Sequence, residues 1–163
     1  MTPQQQNDFI ASLAPGAQAA QKKWGVFASV SIAQAIFEST WGASGLFKKS
    51  NNLFGIKKTP DWTGPVVEME TGEFSPSGVH YMIDAPFRAY PNPAASIDDH
   101  GAFLANNGKP VRYLAALNAA DALSQAMAIG AAGYSSQPIP KYGEMLCAEI
   151  KARNLTQYDL QKN

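Results

Sequence analysis

The sequence predicts an α+β fold, mainly α, in which a β-hairpin lobe overhangs a helical one. Apolar residues recur at helical spacing before about residue 50 and again after Asn92, whereas the stretch from Pro60 to Pro91 has no 3.6-residue period. That middle stretch instead holds two β-rich runs, Val66 to Phe74 and Val79 to Ile83, flanking a Ser75-Pro76-Ser77-Gly78 turn. No repeat, low-complexity tract or linker divides the chain. At 163 residues it has the length of one domain, which buries roughly two thirds of its unfolded surface. The expectation is a single domain over residues 1–163, with the hairpin lobe at about 62–90.

Taken in order, Thr2-Pro3-Gln4-Gln5 reads as a helix start, with Thr2 as N-cap, Pro3 at the first helical position and Gln5 completing a capping box. This first helix carries Phe9, Ile10 and Leu13 and is expected to stop before Pro15-Gly16. A second runs from about Val26 to Trp41, ended by Gly42 and Gly45. One stripe of it is Val26, Val30, Ala33 and Phe37 and another is Ile32 and Ile36, so it should lie in the core. After the hairpin, Asn92-Pro93 caps a helix through Leu104. Further helical patterns span about Leu114 to Met127 and Lys141 to Arg153, the last with Tyr142, Met145, Leu146 and Ile150 on one face.

Thirteen basic and thirteen acidic residues cancel, and charged residues make up 16% of the chain, below the roughly 25% usual for soluble domains. That balance excludes a nucleic-acid partner or an anionic membrane surface as the default reading. The N-terminus lacks a basic region followed by an apolar run, and no segment holds the ~18 apolar residues of a membrane span. We therefore expect no signal peptide, no membrane insertion and a monomer made in the cytoplasm; action outside requires export or release by other means. Cys147 reads as a small core residue on the last helix. Neither His80 nor His100 has a Cys or carboxylate at ligand spacing, so no metal and no cofactor are expected.

On the central helix Ser31, Gln34 and Glu38 fall at steps of three and four, forming one polar line on an otherwise apolar element. Such a line must face water or a wet cleft. Trp41, three residues beyond Glu38, is placed to cover the carboxylate. Partial burial against an indole would raise the pKa, as a general acid working near neutral pH requires. Most helical glutamates are simply solvated, so Glu38 gains its weight from the residues around it.

Those residues are Gly25 to Gly42, then Ser44 and Asn51-Asn52-Leu53-Phe54-Gly55-Ile56-Lys57, followed by Phe87-Arg88-Ala89-Tyr90, Ser96-Ile97-Asp98-Asp99-His100, and Gly133-Tyr134-Ser135-Ser136 leading to Tyr142. In this order they closely resemble the glycoside hydrolase family 73 glucosaminidases, which include flagellar peptidoglycan hydrolases, autolysins and phage lysins. The resemblance covers nearly the whole chain. It implies a lysozyme-like helical lobe and a hairpin lobe with a cleft between them, and Glu38 matches the family's essential glutamate. Thr71-Gly72-Glu73-Phe74 fits the family's hairpin pattern of Thr, any residue, Glu and an aromatic, which makes Glu73 the second carboxylate. Glu68 and Glu70 compete for that role, but strand alternation puts them on one face and Glu73 on the other. Tyr134 matches a tyrosine that the family places near the glutamate, although Tyr-Ser-Ser-Gln stands where relatives tend to have Tyr-Ala-Thr-Asp.

The expected site is therefore Glu38, Glu73 and Tyr134 as catalytic residues, with Gln34, Trp41, Asn52, Phe54, Trp62 and Tyr142 binding substrate. Asn52 and Phe54 lie in a loop that either ties the lobes together or lines the cleft, and Trp62 and Phe74 are candidate sugar platforms. The implied activity is hydrolysis of the β-1,4 bond between N-acetylglucosamine and N-acetylmuramic acid in the peptidoglycan glycan strand. An N-acetylmuramidase, a lytic transglycosylase and a sugar-binding module without catalysis are the alternatives. A lone domain of this kind suits a phage or prophage lysin, or an injected effector.

Overall fold

The computed structural model describes residues 1–161, with the side chains of Glu73 and Phe74 outside that description. Seven helices and a two-stranded antiparallel sheet follow one another among these residues. They are α1 (Pro3–Trp24), α2 (Ala28–Glu38), α3 (Gly45–Ser50), β1 (Val66–Phe74), β2 (His80–Arg88), α4 (Pro93–Asn106), α5 (Leu114–Leu117), α6 (Ala122–Ala131) and α7 (Lys141–Ala152), and a 3₁₀ turn (Leu155–Tyr158) closes the order. The mainly helical α+β expectation holds.

The capping box at Thr2 forms in both directions: Gln5 N–H donates to Thr2 Oγ1 at 3.2 Å and Thr2 N–H to Gln5 Oε1 at 2.8 Å. Contrary to expectation, α1 does not stop at Pro15 but continues through it to Trp24. The alanine-rich second half is a strong helix former. At Gly16 the helix also meets α4 so closely that an added Cβ would lie 3.0 Å from Ala94 Cβ. Proline removes one backbone bond there, and the packing outweighs it.

Helix α2 is buried at every position from Ala28 to Ile36, as its apolar circumference predicts. It has no side-chain N-cap of its own, and a buried helix start cannot leave its N–H groups to water. Three distant side chains take them. Gln125 Oε1 accepts from Phe27 N–H at 2.7 Å, Gln21 Oε1 from Ala28 N–H at 3.1 Å, and Asp159 Oδ1 from Ser29 N–H at 2.7 Å. The central helix is thereby held by α1, α6 and the C-terminal segment.

It also ends earlier than expected, at Glu38. Ser39 Oγ donates to Ala35 O at 2.6 Å and accepts from Gly42 N–H at 2.8 Å, while Thr40 and Trp41 adopt positive φ values of 51° and 57°. The chain then turns into α3, an element not expected from the sequence: Gly45, expected to end the preceding helix, opens this one behind the Ser44 cap. The expected helix from Leu114 to Met127 is two pieces, because Asp121 caps a fresh start at α6 through Ser124 N–H.

The hairpin pairs Val66 with Arg88 through Phe74 with His80. Its turn closes as expected, with Gly78 N–H donating to Ser75 O at 2.8 Å and Gly78 at φ 82°. Strand β2 runs five residues past Ile83, because Lys58 N–H and Arg88 N–H add bonds from the 56–58 segment alongside it. Residues 80–84 are exposed, while Ala85, Phe87 and Arg88 are buried against the helical lobe. On β1, Val67, Met69 and Thr71 are half-buried and Val66, Glu68, Glu70 and Gly72 are exposed.

Candidate active site

Glu38 is the last residue of α2, where the buried helix emerges into a cleft. A cavity of about 350 Å³ opens there, lined by Glu38, Phe54, Thr59, Arg112, Tyr113 and Tyr134 among others. Glu38 Oε1 accepts a hydrogen bond from Tyr142 Oη at 2.7 Å, and Tyr142 Oη in turn accepts from Gln34 Nε2 at 3.3 Å. The relay has one direction: amide to phenol to carboxylate.

The Glu38 carboxyl is exposed along the cleft, yet the protein crowded around its base desolvates it and raises its pKa above the ordinary glutamate value; the Tyr142 hydrogen bond pulls the other way. Burial dominates. Tyr142 itself is buried, and burial together with the neighbouring carboxylate pushes its phenol far above the usual range, so it stays protonated and acts as a donor. Because its hydroxyl occupies Oε1, a proton carried by Glu38 would sit on Oε2. That is the arrangement of a general acid with one oxygen held and the other free.

Tyr142 arrives at Glu38 because α6 and α7 cross at two glycines. A Cβ on Gly130 would lie 2.6 Å from Gly143 N, and one on Gly143 would lie 2.9 Å from Met127 Cα. Tyr134 stacks on Tyr142 with ring centroids 5.6 Å apart and an interplanar angle of 16°. Its hydroxyl meets His100 Nε2 at 3.2 Å. His100 is fully buried, stacked on Phe54 at 3.9 Å, and burial depresses its pKa to about 3, so it is neutral.

The structure thus gathers Glu38, Gln34, Tyr142, Tyr134 and Phe54, and it corrects several roles. Gln34 has no exposed surface, and its link toward Glu38 is the bond from its Nε2 to Tyr142. The polar line is dry at its start, since Ser31 Oγ and Gln34 Oε1 are buried with no hydrogen-bond partner among the described residues. Trp41 does not cover Glu38. The left-handed residues after Ser39 swing its ring onto Phe9, 6.1 Å away, and beneath the Arg153 guanidinium at 5.1 Å. Phenols take the place expected for the indole.

Asn52 is 1% exposed. Its Nδ2 donates to Ile56 O and Arg88 O, and its Oδ1 accepts from the N–H groups of Phe54 and Ile56. It is the clasp that shapes the Phe54 loop and ties it to Arg88 of the hairpin, while Phe54 of the same loop lines the cavity. Trp62 packs edge-on to Tyr90 at 5.8 Å and under Arg88 at 4.6 Å, with Nε1 bonded to Pro65 O. One face of its ring is therefore taken by Arg88. The backbone of Glu73 pairs with Tyr81, in the register row of Val67, Met69 and Thr71, and its side chain lies outside the described residues, as does that of Phe74. Cys147 is half-buried beside a larger open groove of about 800 Å³ that holds none of the groups around Glu38.

Sequence reasoning missed the carboxylate contact of Tyr142 and the packing of His100 between Phe54 and Tyr134. Tyr142 lies 104 residues from Glu38, and only the apolar face it shares with Leu146 and Ile150 hinted that it points inward. It missed as well the cluster that seats the hairpin. Arg88 Nη1 contacts both Asp99 oxygens at 3.1 and 2.9 Å, its Nη2 donates to Thr59 Oγ1 at 2.6 Å, and Tyr90 Oη donates to Asp99 Oδ2 at 2.7 Å. Among the described residues, no group of three or more His, Cys, Asp or Glu side chains is placed to hold a metal ion.

Fold and site together define a lysozyme-like α+β domain built around one partly desolvated glutamate. A family model described as mannosyl-glycoprotein endo-beta-N-acetylglucosaminidase matches residues 14–155, and the chain belongs to this glucosaminidase family. It is 36% identical over 157 residues to the exo-glucosaminidase LytG of Bacillus subtilis, covering 95% of this chain and 54% of that protein. It is also 36% identical over 148 residues to the peptidoglycan hydrolase FlgJ of Salmonella typhimurium, covering 88% and 45%. Among solved structures, the catalytic domain of the autolysin Auto from Listeria monocytogenes superposes with a TM-score of 0.86 at 35% identity, covering 98% of this chain and 90% of that one. The chain spans about half the length of these curated relatives.

Proposed function

We propose that the chain is a peptidoglycan hydrolase, an endo-β-N-acetylglucosaminidase that cuts the β-1,4 glycan strand with Glu38 as general acid. The observation that carries this reading is the Gln34–Tyr142–Glu38 relay at the mouth of the cavity. It holds a protonatable carboxyl on a rigid buried helix with one oxygen free to deliver a proton to the departing sugar oxygen. Family membership and the peptidoglycan-hydrolase relatives support the substrate class. Glu73 is proposed as the second carboxylate, which handles the oxocarbenium-like charge or the water. Its support is the resemblance of Thr71-Gly72-Glu73-Phe74 to the family pattern and its register row, opposite that of Glu68 and Glu70. The chain is proposed to act as one monomeric catalytic unit on the cell wall after release or export, as a lysin or an injected effector does.

Cleavage on the other side, after N-acetylmuramic acid, is the second reading, favoured by 37% identity over 155 residues to a probable N-acetylmuramidase of Lactococcus lactis. Mass spectrometry of digested peptidoglycan separates the two by the sugar at the new reducing end, and an anhydro product marks a transglycosylase. Dye release from labelled walls measures the rate. Glu38→Gln is expected to lower it by at least ~10²–10⁴ with the fold intact by circular dichroism. Glu73→Gln should leave a measurable residue, and Glu68→Gln and Glu70→Gln should be nearly silent. Normal activity in Glu38→Gln would end the proposal.

A further inference from the structure

His100 belongs to none of the roles above, yet it is the one described histidine sealed completely inside the protein. Its ring lies flat on Phe54 at 3.9 Å, and its Nε2 sits 3.2 Å from the Tyr134 hydroxyl. The other ring nitrogen, Nδ1, is buried with no hydrogen-bond partner among the described residues. Burial without a carboxylate partner keeps the ring neutral, so one nitrogen carries a hydrogen and the other a bare lone pair.

The two tautomers give the cleft opposite chemistry. With the hydrogen on Nδ1, an N–H donor would be orphaned in the core, the rarest and costliest kind of unsatisfied group, and the Tyr134 hydrogen would be spent on Nε2. With the hydrogen on Nε2, the orphan is only a lone pair, Nε2–H donates to Tyr134 Oη, and the tyrosine hydrogen has to find its acceptor elsewhere. The Tyr134 hydroxyl has no other hydrogen-bond partner among the described residues, and Tyr134 lines the same cavity as Glu38, which leaves the cleft as the place for that acceptor.

We infer that His100 is a positioning residue that holds Tyr134 as a hydrogen-bond donor, aimed at an acceptor oxygen of the bound sugar or of the water beside Glu38. The inference rests on the glycosidase reading of the cavity. It adds that the phenol's polarity is set from behind by a buried imidazole. Phe54, which flattens the ring, and Asn52, which shapes the Phe54 loop, keep Nε2 on the phenol.

The direct test is a two-bond ¹H–¹⁵N correlation spectrum of the intact ¹⁵N-labelled protein. A pyridine-like Nδ1 and a pyrrole-like Nε2 for His100, unchanged from neutral to mildly acidic pH, are expected. The reverse pattern, or a protonated ring, overturns the inference. A kinetic cycle on labelled walls is the second arm. His100→Leu should lower kcat/KM by roughly tenfold, the scale of one lost neutral hydrogen bond, and His100→Gln, whose amide can still donate, should recover part of it. In a Tyr134→Phe background His100→Leu should cost nothing further. Full additivity with Tyr134→Phe would show that His100 does not act through the phenol. Glu38→Gln, run in parallel, fails separately: an active Glu38→Gln sinks the glycosidase reading, whereas the tautomer is read without any activity.

Discussion

Two influences meet on Glu38 with opposite signs, desolvation raising its pKa and the Tyr142 hydroxyl lowering it, and the first is larger. The acid form therefore survives to higher pH than for a free glutamate, and the alkaline limb of the rate profile should follow its deprotonation. Removing the phenol in Tyr142→Phe deletes only the lowering influence. The alkaline limb should move to higher pH while kcat falls, because the carboxyl loses its orientation. A pH–rate profile of the two proteins checks both, and a limb that moves to lower pH would mean the relay runs the other way. The same raised pKa has a stability consequence. A carboxyl whose folded pKa exceeds its unfolded value penalises the fold as pH rises through that interval, and the penalty is complete above both. Glu38→Gln keeps an acceptor for Tyr142 and removes the charge, so it should melt at or above the wild-type temperature at neutral pH and lose that advantage below the unfolded pKa. Scanning calorimetry at the two pH values reads the difference.

At the scale of elements, the site exists because α7 can approach α6 without side chains at the crossing. A methyl group at Gly130 would have to share space with backbone atoms of Gly143, 2.6 Å away, and backbone cannot swing aside. Gly130→Ala is expected to cost about 1–3 kcal/mol and to lift Tyr142 from Glu38, so activity should drop further than the stability loss explains at a temperature where the variant is fully folded. Circular dichroism beside dye release separates the two effects. The sequence shows why the pair was hard to foresee. Periodicity identified α7 and its inward face from Tyr142, Leu146 and Ile150, but a glycine contact between two helices leaves no periodic signal. The same limit explains the misplacement of Trp41. Helical spacing puts it over Glu38, and that spacing lapses once Ser39 caps the helix and Thr40 and Trp41 turn left-handed. Pro15 misled in the opposite sense, because the packing of Gly16 on Ala94 is not written in local propensity. The hydrophobic pattern, the Thr2 and Asn92 caps and the Ser75–Gly78 turn are local, and each was legible.

On the scale of the whole molecule, the two lobes are joined by a compact polar cluster. Residues 80–84 of β2 are exposed, so the outer hairpin rests chiefly on its own pairing, and an isolated two-stranded ribbon is marginal in water. Its base is fastened where Arg88 of β2 and Tyr90 converge on Asp99 of α4 and Arg88 also donates to Thr59 of the preceding loop, with Arg88 and Asp99 side chains only 11% and 20% exposed. Asp99→Ala leaves the guanidinium with Thr59 and a carbonyl, and the Tyr90 hydroxyl with no acceptor. Losing one partner of a largely buried pair costs about 3 kcal/mol, which lowers Tm by roughly 10 °C in a domain of this size. The loss should fall unevenly. Amides of β1 and β2 should exchange much faster under native conditions, while those of α2, held by Gln21, Gln125 and Asp159, should lose protection only through global unfolding. Hydrogen exchange followed by mass spectrometry resolves the two segments. If α2 and the hairpin lose protection by the same factor while the protein stays well below its melting point, the cluster is part of one cooperative core and not the fastening of a separate lobe.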